Sequence, residues 1–401
     1  MIFIMANIFW SLKKCGWIGM SNNQGRSNSR TNNINFSWAL EESCCTGCAV
    51  CANVCPNNCI FMKYDDEGFL YPEIDIKKCT ECGLCEKSCP AINNPVNDNF
   101  IEPEVYAAWS LDDEVRASSS SGGIFTELAH KVLDNGGFVS GARYKTNNLV
   151  EHCLINSREQ LHELRQSKYV QSEIGLIFRD IKKLLEEDRT VMFTGTPCQS
   201  EGLMQFLNKK YDNLLLCDIV CHGVNSPMVY LKYFNGLEEE YKSKIKKINF
   251  RDKRNGWKDF GTSVVFDNGK EYFCSQKKEP FYRGFIKNLY LRPSCYNCQY
   301  KSFPRLSDIT LADFWGINLI AENEIYKGVS LLLINSNKGK HYLEEISKYI
   351  SKEQKTLKDA TLKNPCILNS VTLNNKRELL FKALRKETDV VDIIQKIIDY
   401  D

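Results

Sequence analysis

The sequence lacks any run of about 18 consecutive apolar residues, so it offers no candidate transmembrane helix. It also lacks an excess of charge of either sign, because 52 Lys and Arg stand against 50 Asp and Glu. Such a chain has no overall field that would draw it to nucleic acid or to an anionic membrane. A secretory signal is not expected either, because the apolar run at residues 1–10 precedes its lysines instead of following them. We therefore expect a cytoplasmic protein that binds neither nucleic acid nor a membrane.

Cysteine, in contrast, is abundant, with 19 in 401 residues. Many cysteines in a secreted protein indicate a disulfide framework, whereas in a cytosolic protein they more often indicate a metal site. Because no export signal is expected, we interpret the cysteines as metal ligands. Their spacing indicates which kind of metal site they form.

Two cysteine runs repeat one spacing, CTGCAVCANVCP at residues 45–56 and CTECGLCEKSCP at residues 79–90. Both follow C-x2-C-x2-C-x3-C-P, the pattern of proteins with two 4Fe-4S clusters, in which the fourth cysteine of each run crosses to the other cluster. Gly47 and Gly83 provide the conformational freedom that such loops need. A pair of zinc ribbons is the alternative, but it would leave the third and fourth cysteines of each run without a role. The predicted ligands are Cys45, Cys48, Cys51 and Cys89 for one cluster, and Cys79, Cys82, Cys85 and Cys55 for the other.

The pattern of apolar and polar residues along the chain predicts five segments and two kinds of folded domain. Helical patterns at 123–135, 174–187, 199–208 and 228–241 alternate with apolar runs at 137–144, 190–194, 213–220 and 329–334. This alternation favours an α/β domain with a mixed sheet, preceded by a small α+β ferredoxin-like domain and followed by a helical C-terminal tail. The predicted segments are a disordered extension (1–40), a two-cluster 4Fe-4S ferredoxin domain (41–95), a linker (96–104), the α/β domain (105–335) and a helical C-terminal region (336–401).

Four further cysteines lie where a second domain could bind a ligand. Cys198 lies where a strand runs into a helix, with Thr196 as N-cap and Pro197 in the first turn, and Cys221 follows the end of the next apolar strand. Cys295 and Cys298 form one C-x2-C pair. Together they could bind a third 4Fe-4S cluster or a zinc ion, and the alternative is four buried structural thiols. The cysteines predicted to be spectators or core residues are Cys44, Cys59, Cys153, Cys217 and Cys274.

Three polar segments suggest anion binding, each with an ordinary alternative. The Ser- and Gly-rich stretch ASSSSGG before a helix could cradle a phosphate or form a simple helix cap. Arg165, Lys168 and Gln171 could hold an anionic ligand or form a solvated face. The same two interpretations apply to RDKRNGWK at residues 251–258, where Gly256 and Trp257 suggest a tight turn or a ring contact.

Several of these motifs, in order, resemble the beta subunit of coenzyme F420 hydrogenases and dehydrogenases. They are TGTPCQ, DIVCHG followed by SP, RDKRNGWK, the Cys295–Cys298 pair and DITLADFWG, and the resemblance covers about residues 41–335. It implies that residues 105–335 form a catalytic domain binding FAD beside a third 4Fe-4S cluster. That cluster would be held by Cys198, Cys221, Cys295 and Cys298. The implied FAD contacts are Ser119, Ser120, Ser121, Gly122 and Gly123 at the flavin phosphate, Lys168 and Gln171 in the flavin or substrate pocket, and Thr194 and Thr196.

The predicted function is that of an iron–sulfur flavoprotein oxidoreductase. It would pass electrons between a protein carrier, either a ferredoxin or a partner oxidoreductase subunit, and a deazaflavin or another hydride acceptor. The alternatives are a non-catalytic electron-relay subunit and a zinc-stabilised interaction protein. No catalytic acid or base is assigned; His222 could donate to a cluster sulfur or a flavin atom, or have a structural role.

Overall fold

The structure, a computed structural model, describes residues 43–93, 95, 97–318, 323–386 and 389–399. The extension predicted over residues 1–40 lies outside the described residues. Among the helices that the structure describes, none combines the length with the apolar character that crossing a bilayer requires.

The cysteine-rich segment folds into two short helices and a hairpin. Helix α1 (Val50–Val54) and helix α2 (Leu84–Lys87) each carry part of one cysteine run. Strands β1 (Ile60–Tyr64) and β2 (Leu70–Ile74) pair antiparallel between them. The carboxylate of Asp65 closes their turn by accepting two backbone N–H groups. The strand-like segment between the two cysteine runs is therefore a hairpin.

The rest of the described chain alternates strands and helices, as the sequence predicts. The strands are β3 (Glu104–Ser110), β4 (Phe138–Tyr144), β5 (Val150–Ile155), β6 (Ser172–Glu173), β7 (Val191–Gly195), β8 (Leu214–Ile219), β9 (Ile245–Asp252), β10 (Gly261–Phe266), β11 (Glu271–Ser275), β12 (Ile309–Asp313), β13 (Ser330–Ile334) and β14 (Ile350–Lys355). The helices are α3 (Asp113–Ala117), α4 (Ile124–Asp134), α5 (Leu161–Leu164), α6 (Ile177–Glu186), α7 (Pro197–Leu207), α8 (Pro227–Tyr241), α9 (Pro280–Ile286), α10 (Asn323–Lys327), α11 (Asn337–Glu345), α12 (Leu357–Leu362), α13 (Arg377–Leu384) and α14 (Val390–Asp399).

A nine-stranded mixed sheet forms the centre, in the order β14-β3-β13-β12-β8-β7-β4-β5-β6. Strands β4, β7, β8 and β12 are parallel to their neighbours in the middle, while β13, β3 and β14 add antiparallel strands at one side. The prediction of an α/β domain with a mixed sheet is therefore confirmed.

Helices cover both faces of this sheet because its central strands are apolar on both sides. Leu215 and Cys217 of β8 face a core that includes α4 and α11, whereas Leu214 and Leu216 face the core of α6 and α7. Successive side chains of a strand point to opposite faces, so a continuous apolar run such as that of β8 marks a strand buried on both sides. Cys217, fully buried, is a core residue as predicted.

A second, smaller sheet extends the domain. Its order is β11-β10-β9, and it packs with α8, α9, α13 and α14 around a core rich in aromatic rings. The predicted hairpin turn at Asn268 and Gly269 joins β10 to β11, with Gly269 at a φ of 81°. Apolar residues of α14 are buried in this core, which agrees with the expectation that its amphipathic stretch packs against protein.

The expectation of a wholly helical tail is wrong at β14. This strand pairs antiparallel with β3, from Ile350 opposite Ser110 to Lys355 opposite Val105. Its sequence, ISKEQK, is polar because it lies at the sheet edge, where charged side chains remain in water and protect the edge from further pairing. Such a strand lacks the apolar run by which the buried strands were recognised.

One buried histidine gives this fold a testable pH dependence. His152 on β5 donates from Nε2 to the Thr194 carbonyl (3.1 Å), accepts from Ser172 Oγ at Nδ1 (3.0 Å) and stacks on Phe193. Burial lowers the pKa of His152 to about 4. Below its unfolded pKa of about 6.5, the unfolded chain takes up a proton that the folded chain does not. Stability should therefore fall as the pH drops from about 6.5 towards about 4.

We expect His152→Gln to keep the fold but to weaken its acid sensitivity. Each proton bound only by the unfolded chain changes the free energy of unfolding by about 1.4 kcal/mol per pH unit. Thermal unfolding followed by circular dichroism between about pH 7.5 and about pH 5.5 should show a shallower fall for His152→Gln than for the wild type. The exposed His162 provides the control, because His162→Gln should retain the wild-type slope. Equal slopes for all three proteins would contradict the assignment.

Candidate redox centre

The first group of predicted ligands faces one cavity. A cavity of about 40 Å³ is lined by Cys45, Cys48, Cys51 and Cys89, together with Cys85. Burial raises the pKa of the Cys48 thiol to about 12, and the neighbouring Cys89 and Cys45 raise it further. Thiols that disfavour each other's ionisation in this way lie close together, and binding of a metal centre would favour their thiolate forms. The structure thus brings the four residues of the first predicted set together.

The second group lies nearer the surface. Burial raises the pKa of Cys85, with smaller contributions from Cys82 and Cys79. Cys55 is linked to the group through Cys59, since their sulfurs are 3.2 Å apart and Cys79 also raises the pKa of Cys59. Cys82 is exposed. Cys59, predicted to be a spectator, is therefore an immediate neighbour of a predicted ligand.

Four cysteines from three separate loops form the third group. Cys198 begins α7 after the strand β7, and Cys221 follows the parallel neighbour β8. Cys295 and Cys298 come from the turn at Pro293–Asn297. Burial raises the pKa of Cys198 to about 12, and Cys298 and Cys295 add to the rise. The four residues share their position at the carboxyl edge of the central strands.

The residues of this third group are partly exposed and lie at the border of the packed core. Burial strongly raises the pKa of Cys221 and takes that of Cys295 to about 11. The backbone N–H of Val224 donates to Cys295 Sγ (3.4 Å), a contact typical of cluster ligands. Burial raises the pKa of the Cys298 thiol, and the buried cations of Lys301 and Arg305 offset part of this rise. The donor set and the nearby positive charge fit a cluster bound by four thiolates. No three His, Cys, Asp or Glu side chains within the described ranges are grouped as for a single metal ion.

The first and third groups touch each other across α7. A Cβ placed on Gly202 would lie 3.0 Å from Cys48 Cβ and 3.3 Å from Cys48 Sγ. Gly202 is one turn along α7 from Cys198, and Cys48 contributes to the raised pKa of Cys198. Burial raises the pKa of Tyr300, and Cys48 and Cys198 both add to this rise, so Tyr300 lies near both groups. A small residue at 202 therefore permits the cysteine-rich segment to approach the sheet edge closely.

The Ser–Gly stretch before α4 uses its hydroxyl groups within the protein. Ser119 Oγ donates to the Val115 carbonyl, Ser121 Oγ to the Val329 carbonyl, and Ser120 Oγ accepts from the N–H of Ser167. A direct role for these hydroxyls at a flavin phosphate would require that the contacts change.

The backbone of the same stretch remains suited to an anion. In this fully described loop, the N–H groups of Ser120, Ser121 and Gly123 have no protein acceptor among the backbone or side-chain hydrogen bonds. Gly122 fits tightly, since a Cβ there would lie 2.5 Å from the Ala108 carbonyl oxygen. Arg165 approaches the loop through Ser118, and its buried Nε has no partner. Unpaired N–H groups at a helix start beside a cation fit a phosphate of FAD.

The other predicted cofactor contacts divide into two groups. Lys168 is partly exposed, yet burial lowers the pKa of its amine to about 7, and its Nζ donates to the Arg165 carbonyl (2.9 Å). The buried hydroxyl of Thr194 has no partner among the described residues, whereas Thr196 caps α7 and contacts Cys198 Sγ (3.2 Å). Gln171 Nε2 donates to the Thr46 carbonyl of the first cysteine loop (3.0 Å).

In the RDKRNGWK segment Arg251 is buried and Lys253 is half-buried, contrary to the solvated-face interpretation. Arg251 pairs with Asp313 (2.9 Å), which also accepts from Trp257 Nε1 (3.0 Å). Trp257 stacks on Trp315 with 4.6 Å between ring centroids. Lys253 donates to three backbone carbonyls, and burial lowers its pKa to about 8. The ring contact suggested by Trp257 is thus made within the protein.

His222 is held by the protein on both ring nitrogens. Its Nε2 lies 2.7 Å from Asn288 Oδ1, and its Nδ1 lies 3.6 Å from Cys366 Sγ. These contacts support the structural interpretation of this residue. Cys366, from the tail, also raises the pKa of Cys298 and was not anticipated.

The glycine at position 47 gives a test of the first cysteine loop. Gly47 has a φ of 69°, but Glu81 occupies the matching position of the second run at a φ of 55°, so conformation alone does not require glycine. A Cβ on Gly47 would lie 2.7 Å from Gln171 Nε2 and 2.9 Å from Arg292 Nη1. Gly83 has the same φ of 69° with nothing within 4 Å.

We therefore expect Gly47→Ala to lose iron from one cluster and Gly83→Ala to retain it. Both variants carry the cost of a left-handed alanine, roughly 1 kcal/mol, but only the first collides with neighbouring side chains. Iron per chain after anaerobic reconstitution and the thermal midpoint measure the difference. Equal losses in both variants would show that conformation, not packing, requires the glycine.

Family models match most of the described chain. Residues 105–177 match the N-terminal segment, and residues 188–359 the C-terminal segment, of the coenzyme F420 hydrogenase/dehydrogenase beta subunit; residues 44–92 match a 4Fe-4S dicluster domain. No curated protein matches the chain. A solved chain of the F420-reducing [NiFe] hydrogenase complex from Methanosarcina barkeri is 16% identical, covers 76% of this chain and 94% of its own, and has a TM-score of 0.44. The chain belongs to the coenzyme F420 hydrogenase/dehydrogenase beta subunit family, with a 4Fe-4S dicluster domain in front of the family's two segments.

Proposed function

We propose that this chain is an iron–sulfur flavoprotein oxidoreductase that couples hydride transfer at FAD to one-electron transfer. The observation that carries the proposal is the convergence of Cys198 and Cys221 with the Cys295–Cys298 turn, near Cys48. Membership in an oxidoreductase family and the dicluster domain support electron transfer by iron–sulfur clusters.

Three 4Fe-4S clusters are proposed, each with four cysteine ligands. The dicluster domain accounts for two of them, and the third cysteine group at the sheet edge would hold the third. The cysteine groups lie in a row, since the third group adjoins Cys48 and the second group ends at the exposed Cys82. Such a row suits one-electron transfer between a buried site and the surface. The proposed ligand sets are Cys45, Cys48, Cys51 and Cys89; Cys55, Cys79, Cys82 and Cys85; and Cys198, Cys221, Cys295 and Cys298.

FAD is proposed to bind at the same edge of the sheet. When bound, it would exchange two electrons as a hydride and one electron at a time with the cluster side. The backbone N–H groups of the Ser119–Gly123 loop and Arg165 would hold its phosphates. Lys168 and the unpartnered hydroxyl of Thr194 would face the remainder of the cofactor. The role of the protein is to orient the ring and to exclude water.

The proposed partners are a protein electron carrier and a small hydride acceptor of the deazaflavin type. The family name suggests coenzyme F420 as that acceptor. A carrier could approach the exposed Cys82, and beside Cys55 lies an open cavity of about 350 Å³ lined partly by Arg179, Lys182 and Lys183. We further propose that the protein acts in the cytoplasm.

A non-catalytic electron-relay subunit is the second candidate. It is favoured by the internal hydrogen bonds of the Ser119, Ser120 and Ser121 hydroxyls and of Gln171, which leave fewer groups for a flavin. Flavin content separates the two functions, because a relay should retain iron but no FAD after reconstitution.

Iron content tests the third cluster. We expect about twelve irons per chain after anaerobic reconstitution, and about eight in the double variant Cys198→Ser, Cys221→Ser, because that variant lacks two of four ligands for one cluster. Cys274 is a half-buried cysteine on β11 outside all three groups. The variant Cys274→Ser should therefore keep the wild-type iron content. A double variant with unchanged iron, or a wild type with about eight irons, would contradict a third cluster.

Flavin binding tests the proposed FAD site. Because the Lys168 amine has a pKa of about 7, its positive charge is lost as the pH rises through neutrality. We expect FAD to bind at least about tenfold more weakly to Lys168→Met than to the wild type at about pH 6. Wild-type affinity should fall between about pH 6 and about pH 8.5, whereas the affinity of the variant should change little.

Fluorescence quenching of titrated FAD measures these affinities. The exposed Lys183 on α6 provides the control, since Lys183→Met should match the wild type at each pH. Equal affinities for wild type and Lys168→Met would remove Lys168 from the site, and no FAD binding at all would favour the relay.

A further inference from the structure

Arg292 joins the first cysteine loop to the sheet domain from a fully buried position. Its Nε donates to the Cys45 carbonyl (2.8 Å), its Nη1 to Gln171 Oε1 (2.8 Å) and its Nη2 to the Leu70 carbonyl (2.9 Å). Nη2 also lies 3.8 Å from Cys45 Sγ, and the guanidinium lies over the ring of Tyr71. Every nitrogen of the guanidinium therefore has an acceptor, although the side chain is 0% exposed.

The same residue anchors the third group through its backbone. The Arg292 carbonyl accepts the N–H of Cys295 (2.9 Å) at the start of the turn Pro293–Asn297. One residue thus contacts a predicted ligand of the first cluster with its side chain and a predicted ligand of the third with its main chain.

Among the residues that the structure describes, no Asp or Glu forms an ion pair with Arg292, and the side-chain acceptors of its guanidinium are a neutral amide oxygen and a thiol sulfur. An unpaired charge in the protein interior is costly, because it gives up its hydration without an opposite charge in return. Clusters ligated by thiolates are negatively charged, and they would lie on both sides of this guanidinium. They are the counter-ions that the described part of the chain does not otherwise provide.

The first cysteine loop is shaped to receive this guanidinium. Gly47 leaves the space in which Arg292 Nη1 and Gln171 Nε2 lie, whereas the second loop carries Glu81 at the matching position. Another arginine, Arg179, donates to the Ala52, Asn53 and Cys55 carbonyls at the far end of the first cysteine run, but it is partly exposed. Water screens the charge of Arg179, whereas nothing screens that of Arg292.

We propose that Arg292 is a positioning residue that couples the first and third cluster sites and raises the reduction potential of the cluster held by Cys45. A fixed positive charge favours the reduced, more negative state of a cluster, and hydrogen bonds at its ligands do the same. The inference rests on the proposed function, because it requires clusters at both sites. The guanidinium contacts Cys45 directly and Arg292 contacts the third group through its main chain, so the largest change is predicted at the cluster held by Cys45.

The test is an anaerobic redox titration followed by electron paramagnetic resonance, on the reconstituted full chain and its variants. Arg292→Gln should retain iron but lower the equilibrium constant for reduction of one cluster at least tenfold, about 59 mV for a one-electron couple. Arg292→Lys keeps the positive charge but not the planar set of N–H donors of the guanidinium, and should show a smaller shift in reduction potential. Arg179→Gln is the matched control and should leave that cluster unchanged.

Iron analysis on the same samples separates the possible failures. Full iron with unchanged potentials in Arg292→Gln would overturn this inference alone. A wild-type chain that binds no cluster would overturn the proposed function and this inference with it. If Arg292→Gln does not retain iron, Gln171→Leu decides the question, because it frees one arm of the guanidinium without removing the charge. A shift of the same cluster in Gln171→Leu supports the inference, and an unchanged potential overturns it.

Discussion

Four thiolates can converge on one iron–sulfur cube only if distant parts of a chain are held against one another. In this protein the strands β7 and β8 are parallel neighbours, and Cys198 and Cys221 follow their carboxyl ends at the same edge of the sheet. The carboxyl ends of parallel strands meet at one edge, which is where ligands gather in open α/β sheets. The turn that carries Cys295 then closes over this edge. The pairing of β7 with β8 is therefore the constraint on which the third cysteine group depends.

Local signals were enough to predict much of this arrangement. Thr196 and Pro197 mark the start of α7, and a capping box with Gln199 forms there as such residues allow. The apolar runs at β7 and β8 predicted two strands, and both strands are present and buried on two faces. The spacing of the two cysteine runs predicted a dicluster domain, which the family model supports. In each case the necessary information lies within a few neighbouring residues.

What the sequence did not reveal depends on partners far apart in the chain. Arg292 stands beside Pro293 with nothing nearby to indicate that its side chain would meet Cys45 and Leu70. The resemblance implies that Gln171 belongs with Lys168 to the flavin or substrate pocket, whereas its Nε2 donates to the Thr46 carbonyl of the first cysteine loop. Side-chain direction in an irregular segment is set by what packs against it, and a single sequence does not contain that information.

The tail shows that the scaffold of the site extends past the family's own segments. The family match ends at residue 359, but Ser370 donates to the Cys298 carbonyl (3.1 Å). Further along, Arg377 forms an ion pair with Glu67, at the turn of the hairpin between the two cysteine runs. A single stretch of tail thus contacts both the third cysteine group and the cysteine-rich segment. Because both contacts come from residues beyond the match, part of the attachment between the two modules lies outside the family's own segments, in addition to the contacts that Arg292 makes within them.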